Sequence, residues 1–393
     1  MASFWKLSAA GFAATAITYG PARMGFGLFL SQFRDDFALS TEVAGLISSL
    51  GFFGMLVGLV AAYATLALAG PRPPVLLGLG LATSGTALVS GATTVPVLTL
   101  GIVLAMTSAG FAWTPFNSIV SRRLLDETRP SALAIISTGT SLGIAAAGAT
   151  AIAVSLIGLP WRIAWGAFGV ASALALLANV VALREPSGPL GASTPQEPWG
   201  TLLHPAAMPL YAIALSFGIT TAIYLSFAAD RIAQAGGVPG MPAASAPAIM
   251  FVCYGIFGLL GLATGRLKGI VGLSALLRLL LLGSALSLSL VALVPTSWPG
   301  LVLSAGMQGV FVMMMSAILA FWSERLFPQM PARSFTAALI AVAIGSVLGP
   351  GIAGTVSDRW GGDVMFLTTA ALSLTTLPVI LPRFVKERPG PAS

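Results

Sequence analysis

The sequence predicts an all-α polytopic membrane protein, with about twelve transmembrane helices in two parallel six-helix repeats around a central cavity. Three observations carry that prediction. Only 8% of the residues are charged while 56% are hydrophobic; soluble domains carry roughly 25% charged residues, so this chain lacks the means to solvate a surface. The apolar runs reach the roughly 18 or more residues that a membrane span needs, and the short alternating segments of a membrane β-barrel are absent. The third observation is that one of these runs recurs later in the chain.

The first apolar run covers 7–33. It is too long for the apolar region of a cleavable signal peptide, typically about 7–15 residues, and is expected to remain as a span. Its middle reads Thr18-Tyr19-Gly20-Pro21-Ala22-Arg23-Met24-Gly25-Phe26-Gly27. A cation at the centre of a membrane helix costs roughly 2.5–3.5 kcal/mol on insertion scales, and such residues face a protein interior or a water-filled cavity. Pro21 predicts a kink, since proline removes a helix hydrogen bond. Tyr19, four residues before Arg23, shares its face. A bent helix with a cation at mid-depth predicts a binding site.

The remaining runs are 41–69, 74–94, 96–120, 131–158 and 161–183, then 206–232, 246–266, 273–294, 299–322, 334–356 and 362–382. The Pro/Gly/Ser-rich stretch from Arg184 towards Pro198 separates the two sets. It predicts a six-helix bundle over 1–183, a linker over 184–205 and a second bundle over 206–393. The recurrence lies in the fifth and eleventh spans. Ala132, Leu133, Gly139, Leu142, Gly143, Ala147 and Gly148 match Ala338, Leu339, Gly345, Leu348, Gly349, Ala353 and Gly354 at a constant offset of 206. Small residues let membrane helices approach closely, so Gly143 and Gly349, with Pro350 beside the latter, are expected at helix crossings. The two spans run the same way, which makes the halves parallel repeats.

The formal charge of +7 is a topology signal. With the N-terminus inside, thirteen basic residues fall on cytoplasmic connections (Lys6, Arg72, Arg122, Arg123, Arg129, Arg184, Arg266, Lys268, Arg325, Arg333, Arg383, Lys386, Arg388) and four on outer ones (Arg34, Arg162, Arg231, Arg359). Such a bias places both termini and the linker in the cytoplasm. It needs no nucleic-acid partner. Cys253 is the single cysteine and sits in an apolar run, so no intramolecular disulfide can form and a buried thiol is expected.

Several stretches resemble the major facilitator superfamily of secondary transporters. Gly70-Pro71-Arg72-Pro73-Pro74-Val75-Leu76 resembles its basic loop after the second helix, with a counterpart at Gly265-Arg266-Leu267-Lys268-Gly269. Gly345 to Gly354 resembles its glycine-proline motif, and Ser357-Asp358-Arg359-Trp360-Gly361 a common element at the end of the eleventh helix. The six-plus-six pattern extends the resemblance over essentially the whole chain. The family's loop usually carries a state-locking aspartate, which neither copy here has. Within the superfamily, an arginine in the first helix resembles bacterial permeases and transporters of small organic anions. The resemblance implies a multi-pass protein of a bacterial inner membrane, acting as a monomer.

Arg23 is the foremost candidate, either meeting an anionic substrate or pairing with a protein carboxylate. Asp230, near the outer end of the seventh span, is the acidic residue placed to reach it, as an outer gate or a proton carrier; the slightly favoured reading for Asp230 is a solvated residue next to Arg231. Further substrate-binding candidates on the expected cavity helices are Tyr19, Trp113, Asn117, Tyr224, Tyr254 and Gln308, joined by Thr140 and Ser141. Gln308 stands out because a mid-membrane amide needs partners. Arg278 is expected to snorkel to the cytoplasmic interface. Met313-Met314-Met315 is expected mainly to fill the core or meet lipid.

Enzyme chemistry has no support: there is one histidine, His204, no metal-ligand cluster and no phosphate-binding loop. No cofactor is expected. The function expected is secondary transport by alternating access of a small organic anion, a carboxylate with Arg23 as charge partner, with protons as candidate co-ions and the bilayer as surroundings. The alternative is proton-driven efflux of lipophilic drugs or sugars, with Arg23 structural.

Overall fold

The computed structural model describes residues 2–184, 199–242, 245–380 and 385. Residues 185–198, which make up most of the expected linker, lie outside the described residues, as do Arg383, Lys386 and Arg388. The described residues form helices and no strand. Eleven helices are long and apolar enough to cross a membrane by length and composition. The first span is different. It is broken into Ala2–Tyr19, Pro21–Leu28 and Leu30–Phe37, with interruptions at Gly20 and Phe29. The single bent helix expected over 7–33 is therefore three helices, because Pro21 restarts the helix at its first position, where its missing N–H is tolerated.

The second and third spans are Thr41–Ala69 and Arg72–Ser90. The fourth is Val95–Gly110 followed by Trp113–Arg123, the fifth Arg129–Leu156 and the sixth Trp161–Ala182. The second half repeats the pattern with Met208–Gln234, Ala246–Gly258 continued through a 3₁₀ turn into Thr264–Val271, Leu273–Leu293, Trp298–Leu326, Pro331–Trp360 and Gly362–Thr375. Large apolar side chains such as Leu46, Leu50, Phe53 and Val57 on the second span, or Leu279, Leu282 and Leu286 on the ninth, point outwards. An apolar exterior of this extent matches lipid.

The recurring glycines mark equivalent crossings. A side chain at Gly139 or Gly143 would run into the backbone of Phe12 or Ala16 on the first span; one at Gly345 or Gly349 would run into that of Leu215 or Ile219 on the seventh. One turn and a half later the same helices meet the opposite half: Gly148 faces the backbone of Ala248 on the eighth span, and Gly354 that of Thr41 and Glu42 on the second. Pro350 removes one bond from the eleventh helix, and its carbonyl lies against Gly45 of the second span. The amide of Gly351 still has its own donor, which it gives to Ser49 Oγ at 2.9 Å.

Two smaller expectations can be placed. Arg278 reaches the end of the twelfth span and donates to the Ile380 carbonyl at 2.8 Å. The Cys253 thiol is half-buried, where a buried one was expected.

Candidate functional site

A cavity of about 270 Å³ lies between the two halves. Its wall includes Ser137 and Phe335, near the starts of the fifth and eleventh helices, and Leu262 and Ala320, near the ends of the eighth and tenth spans. The cavity therefore occupies the part of the bundle that carries the basic connections. Met55, Leu59, Phe217, Val312 and Leu339 make most of the wall apolar; Thr140, Ser141 and Ser316 add hydroxyls.

Among the described residues, Arg23 is the one charged residue in this wall. Gly20 sets its position: the Gly20 backbone lies against that of Gly143, so no side chain fits there, and the helix restarting at Pro21 turns Arg23 towards the cavity. Its guanidinium carbon lies 5.5 Å from the Tyr19 ring centre and 5.8 Å from that of Phe52. Two aromatic faces attract the cation without neutralising it. Its Nε is buried and has no hydrogen-bond partner. Among the described residues no carboxylate pairs with Arg23.

Asp230 neither pairs with Arg23 nor is solvated beside Arg231, because the neighbouring helices bury it. It is 3% exposed and its Oδ2 accepts from Arg34 Nε and from Gln234 Nε2, both at 2.9 Å. Arg34 also donates to the Leu39 carbonyl at 3.0 Å and to Thr41 Oγ1 at 2.9 Å. The reason is depth. Arg34 and Asp230 sit together at the end of the bundle opposite the cavity, whereas Arg23 lies about three helical turns closer to it.

That far end is sealed by contacts between the halves. Ser48 and Ser226 share a hydrogen bond of 2.6 Å. Gly27 is pressed against the Leu225 carbonyl, leaving no room for a Cβ. Asp358 accepts from the Thr41 amide at 3.2 Å and the Glu42 amide at 2.8 Å. It thus caps the N-terminus of the second helix from across the interface, where unpaired amides and the helix dipole favour an anion. Nearby, Arg162 and Trp161 donate to Asp36 at 2.6 and 2.9 Å. The Arg162 hydrogen bond holds the Asp36 carboxyl below the usual carboxylate range.

Of the other expected site residues, Tyr19 and Trp113 line the cavity with Arg23. Asn117 is half-buried one turn beyond Trp113 and outside the wall. Tyr224, Tyr254 and Gln308 are fully buried and also outside the wall. Met313 does face the cavity, while Met314 and Met315 fill the core. Sequence reasoning gave no role to Arg34, Ser48, Ser226 or Thr221. Arg34 offered one signal: it lies eleven residues after Arg23, which is close to whole helical turns and so to the same face.

The chain matches the family model described as "Major Facilitator Superfamily" over residues 11–273. It belongs to that superfamily. No curated protein sequence matches it. Among solved structures it resembles a bacterial homologue of the human lysosomal transporter Spinster, in an inward-facing and unoccupied conformation, with TM-score 0.77 and 16% identity over 99% of each chain. It also resembles the nucleoside transporter NupG, with TM-score 0.73 and 15% identity over 97% of this chain and 98% of that one. A POT family transporter in complex with 5-aminolevulinic acid is similar at TM-score 0.72 and 15% identity, over 98% and 95%. At these identities the likeness is one of fold. This superfamily member is a multi-pass membrane protein and a secondary transporter for a small molecule, not an enzyme.

Proposed function

We propose that this transporter carries a small organic anion, a carboxylate, and that Arg23 is its charge partner. One observation carries the reading: Arg23 stands in the cavity wall with a buried, unpartnered Nε and no protein carboxylate against it. An uncompensated cation at this depth is costly, and a substrate carboxylate relieves that cost through two parallel hydrogen bonds to the guanidinium. Tyr19 and Trp113 complete the polar and aromatic side of the site.

The basic bias of the connections supports cytoplasmic termini and a cytoplasmic 184–205 linker, and the reading sets the protein in a bacterial inner membrane as a monomer. The cavity then opens inwards and the Arg34–Asp230 end is the closed outer gate between bundles 1–183 and 206–393. Protonation of Asp230 would weaken its hold on Arg34, which gives protons a route into the cycle at the gate.

A second reading has its own support. The wall is mostly apolar and Met313 adds an adaptable surface, as efflux of lipophilic drugs or sugars would require. A thermal-shift screen of the purified protein separates the two, because a ligand that binds the folded state raises its melting temperature by mass action. Stabilisation by carboxylates that disappears in Arg23→Gln supports the anion reading. Stabilisation by neutral or cationic compounds alone, unchanged in that variant, overturns it.

A further inference from the structure

Beyond the closed end of the cavity, three spans of the second half each bring one buried polar side chain with no partner. Thr221 Oγ1, Tyr254 OH and both ends of the Gln308 amide have neither hydrogen bond nor solvent. Thr221 is 2% exposed, and Tyr254 and Gln308 are 0% exposed. Buried polar groups in native proteins are nearly always hydrogen-bonded, so each exception asks for a reason.

Their placement is not scattered. Each lies one helical turn from a residue of the cavity wall on the same helix: Thr221 from Phe217, Tyr254 from Gly258, Gln308 from Val312. Residues four apart share a face, so all three continue the cavity-facing surface towards the far end. Their neighbours are already satisfied. Tyr224 OH bonds Ser304 Oγ at 3.0 Å, and the Tyr224 ring stacks on that of Tyr254 with centres 6.3 Å apart. Arg23 stands in the cavity wall on the first span, and its Nε is buried without a partner.

We infer that Thr221, Tyr254 and Gln308 form an occluded subsite for a hydroxyl group next to the substrate carboxylate, so that the substrate class is 2-hydroxy monocarboxylates with an apolar body. This rests on the proposal that Arg23 binds a carboxylate. The chemistry of the three groups is selective. Two hydroxyls and an amide both donate and accept but carry no charge, so they match a neutral group that also does both. A second carboxylate there would be buried without a cation, which excludes dicarboxylates. The hydroxyl is assigned to the carbon next to the carboxylate because the three groups lie one helical turn beyond the wall that carries Arg23. The apolar body then lies back along the Phe217, Val312 and Leu339 wall.

The test measures binding of matched acids to the purified full-length protein. The first set is 3-phenylpropanoate, 3-phenyllactate, which adds the 2-hydroxyl, and benzylmalonate, which adds a second carboxylate. The second set is octanoate and 2-hydroxyoctanoate. Each hydroxy acid is expected to bind roughly tenfold more tightly than its parent, as one net hydrogen bond of about 1.4 kcal/mol gives, and benzylmalonate more weakly than either phenyl acid. Gln308→Leu and Tyr254→Phe should each reduce the ratio of hydroxy-acid to parent-acid affinity towards one. Tyr254→Phe removes a single oxygen, so it remains informative if Gln308→Leu does not fold. Parent and hydroxy acids binding equally, both through Arg23, would overturn the subsite, leaving it a water-filled or unsatisfied pocket, while keeping the anion reading. Loss of Arg23 dependence for every acid would overturn both.

Discussion

Arg34 Nε donates to Asp230 Oδ2 at 2.9 Å, tying the far ends of the first and seventh spans, while Arg23, on the same first span, is left without a carboxylate. Asp230 takes Arg34 and not Arg23, which separates the sealed end of the bundle from the cavity wall. The Arg34 and Asp230 side chains are 16% and 4% exposed. Removing one member of a buried pair typically costs about 3–5 kcal/mol because the other is stranded. Arg34→Gln and Asp230→Asn should each lower the melting temperature, and the double variant should recover much of the loss. Arg23→Gln combined with Asp230→Asn should simply add. Recovery in that second cycle, measured by unliganded melting, would contradict the pairing.

Asp358 offers a weaker latch at the same end. Its bonds to the Thr41 and Glu42 amides cap the second helix from the other half. Loss of a capping side chain costs about 1 kcal/mol, so Asp358→Ala should shift the closed-to-open balance of this end roughly fivefold. Thiol labelling of Ser226→Cys, whose hydroxyl now sits sealed against Ser48, in a Cys253→Ala background reads that shift. Labelling no faster than in the protein with Asp358 intact would remove the latch.

Gly143 and Gly349 make a prediction about motion and folding together. A side chain at Gly143 would overlap the Ala16 backbone, and one at Gly349 would crowd Ile219, whereas Gly283 faces open space. Leu at either of the first two positions should abolish folding or transport, and Leu at Gly283 should be nearly neutral. Proteoliposome uptake alongside size-exclusion profiles separates the two failures.

Much of this fold was legible because its signals are local. Span number, the six-plus-six division and the glycine crossings follow from run length and from one repeat at a fixed offset. Arg23 was legible because a cation inside an apolar run has few explanations. The partner of Asp230 was not, since both arginines share one face if the first span is read as one continuous helix, and only the packing of the two halves brings Arg34 to Asp230. Tyr224, Tyr254 and Gln308 were placed on cavity helices by type. Sequence assigns a face but not the level at which a cavity closes, and that level depends on which end of the transporter is sealed.

The pair of Arg162 with Asp36 gives a pH dependence with a definite sign. Hydrogen bonding lowers the Asp36 pKa on folding. The contribution is therefore full above the unfolded aspartate value, near 3.9, and is lost as pH falls through the lower folded value. The side chains are 35% and 38% exposed, so solvent screening limits the effect to about 1 kcal/mol or less. Melting temperature of the wild type and of Asp36→Asn should differ most above the unfolded aspartate value and converge as pH falls below it. A gap that widens on acidification would reverse the assignment.

Arg23 itself yields the sharpest contrast, because its two roles predict opposite changes in the empty protein. As a substrate partner it is unsatisfied without ligand, so Arg23→Gln removes a buried charge and strands nothing. Unliganded melting should hold or rise, while carboxylate binding is lost. As a structural element, held by the Tyr19 and Phe52 rings at 5.5 and 5.8 Å, its neutralisation should lower melting and leave binding in place. Arg23→Lys refines the first case. Lysine keeps the charge but not the planar fork that grips a carboxylate twice, and a hydrogen bond to a charged group contributes about 1.5–3 kcal/mol. Affinity should therefore fall roughly tenfold or more, with residual transport surviving at saturating substrate. Calorimetric binding of one carboxylate to the wild type and both variants, read beside their unliganded melting, decides the matter: a destabilised Arg23→Gln protein that still binds the acid would leave the cavity without its charge partner.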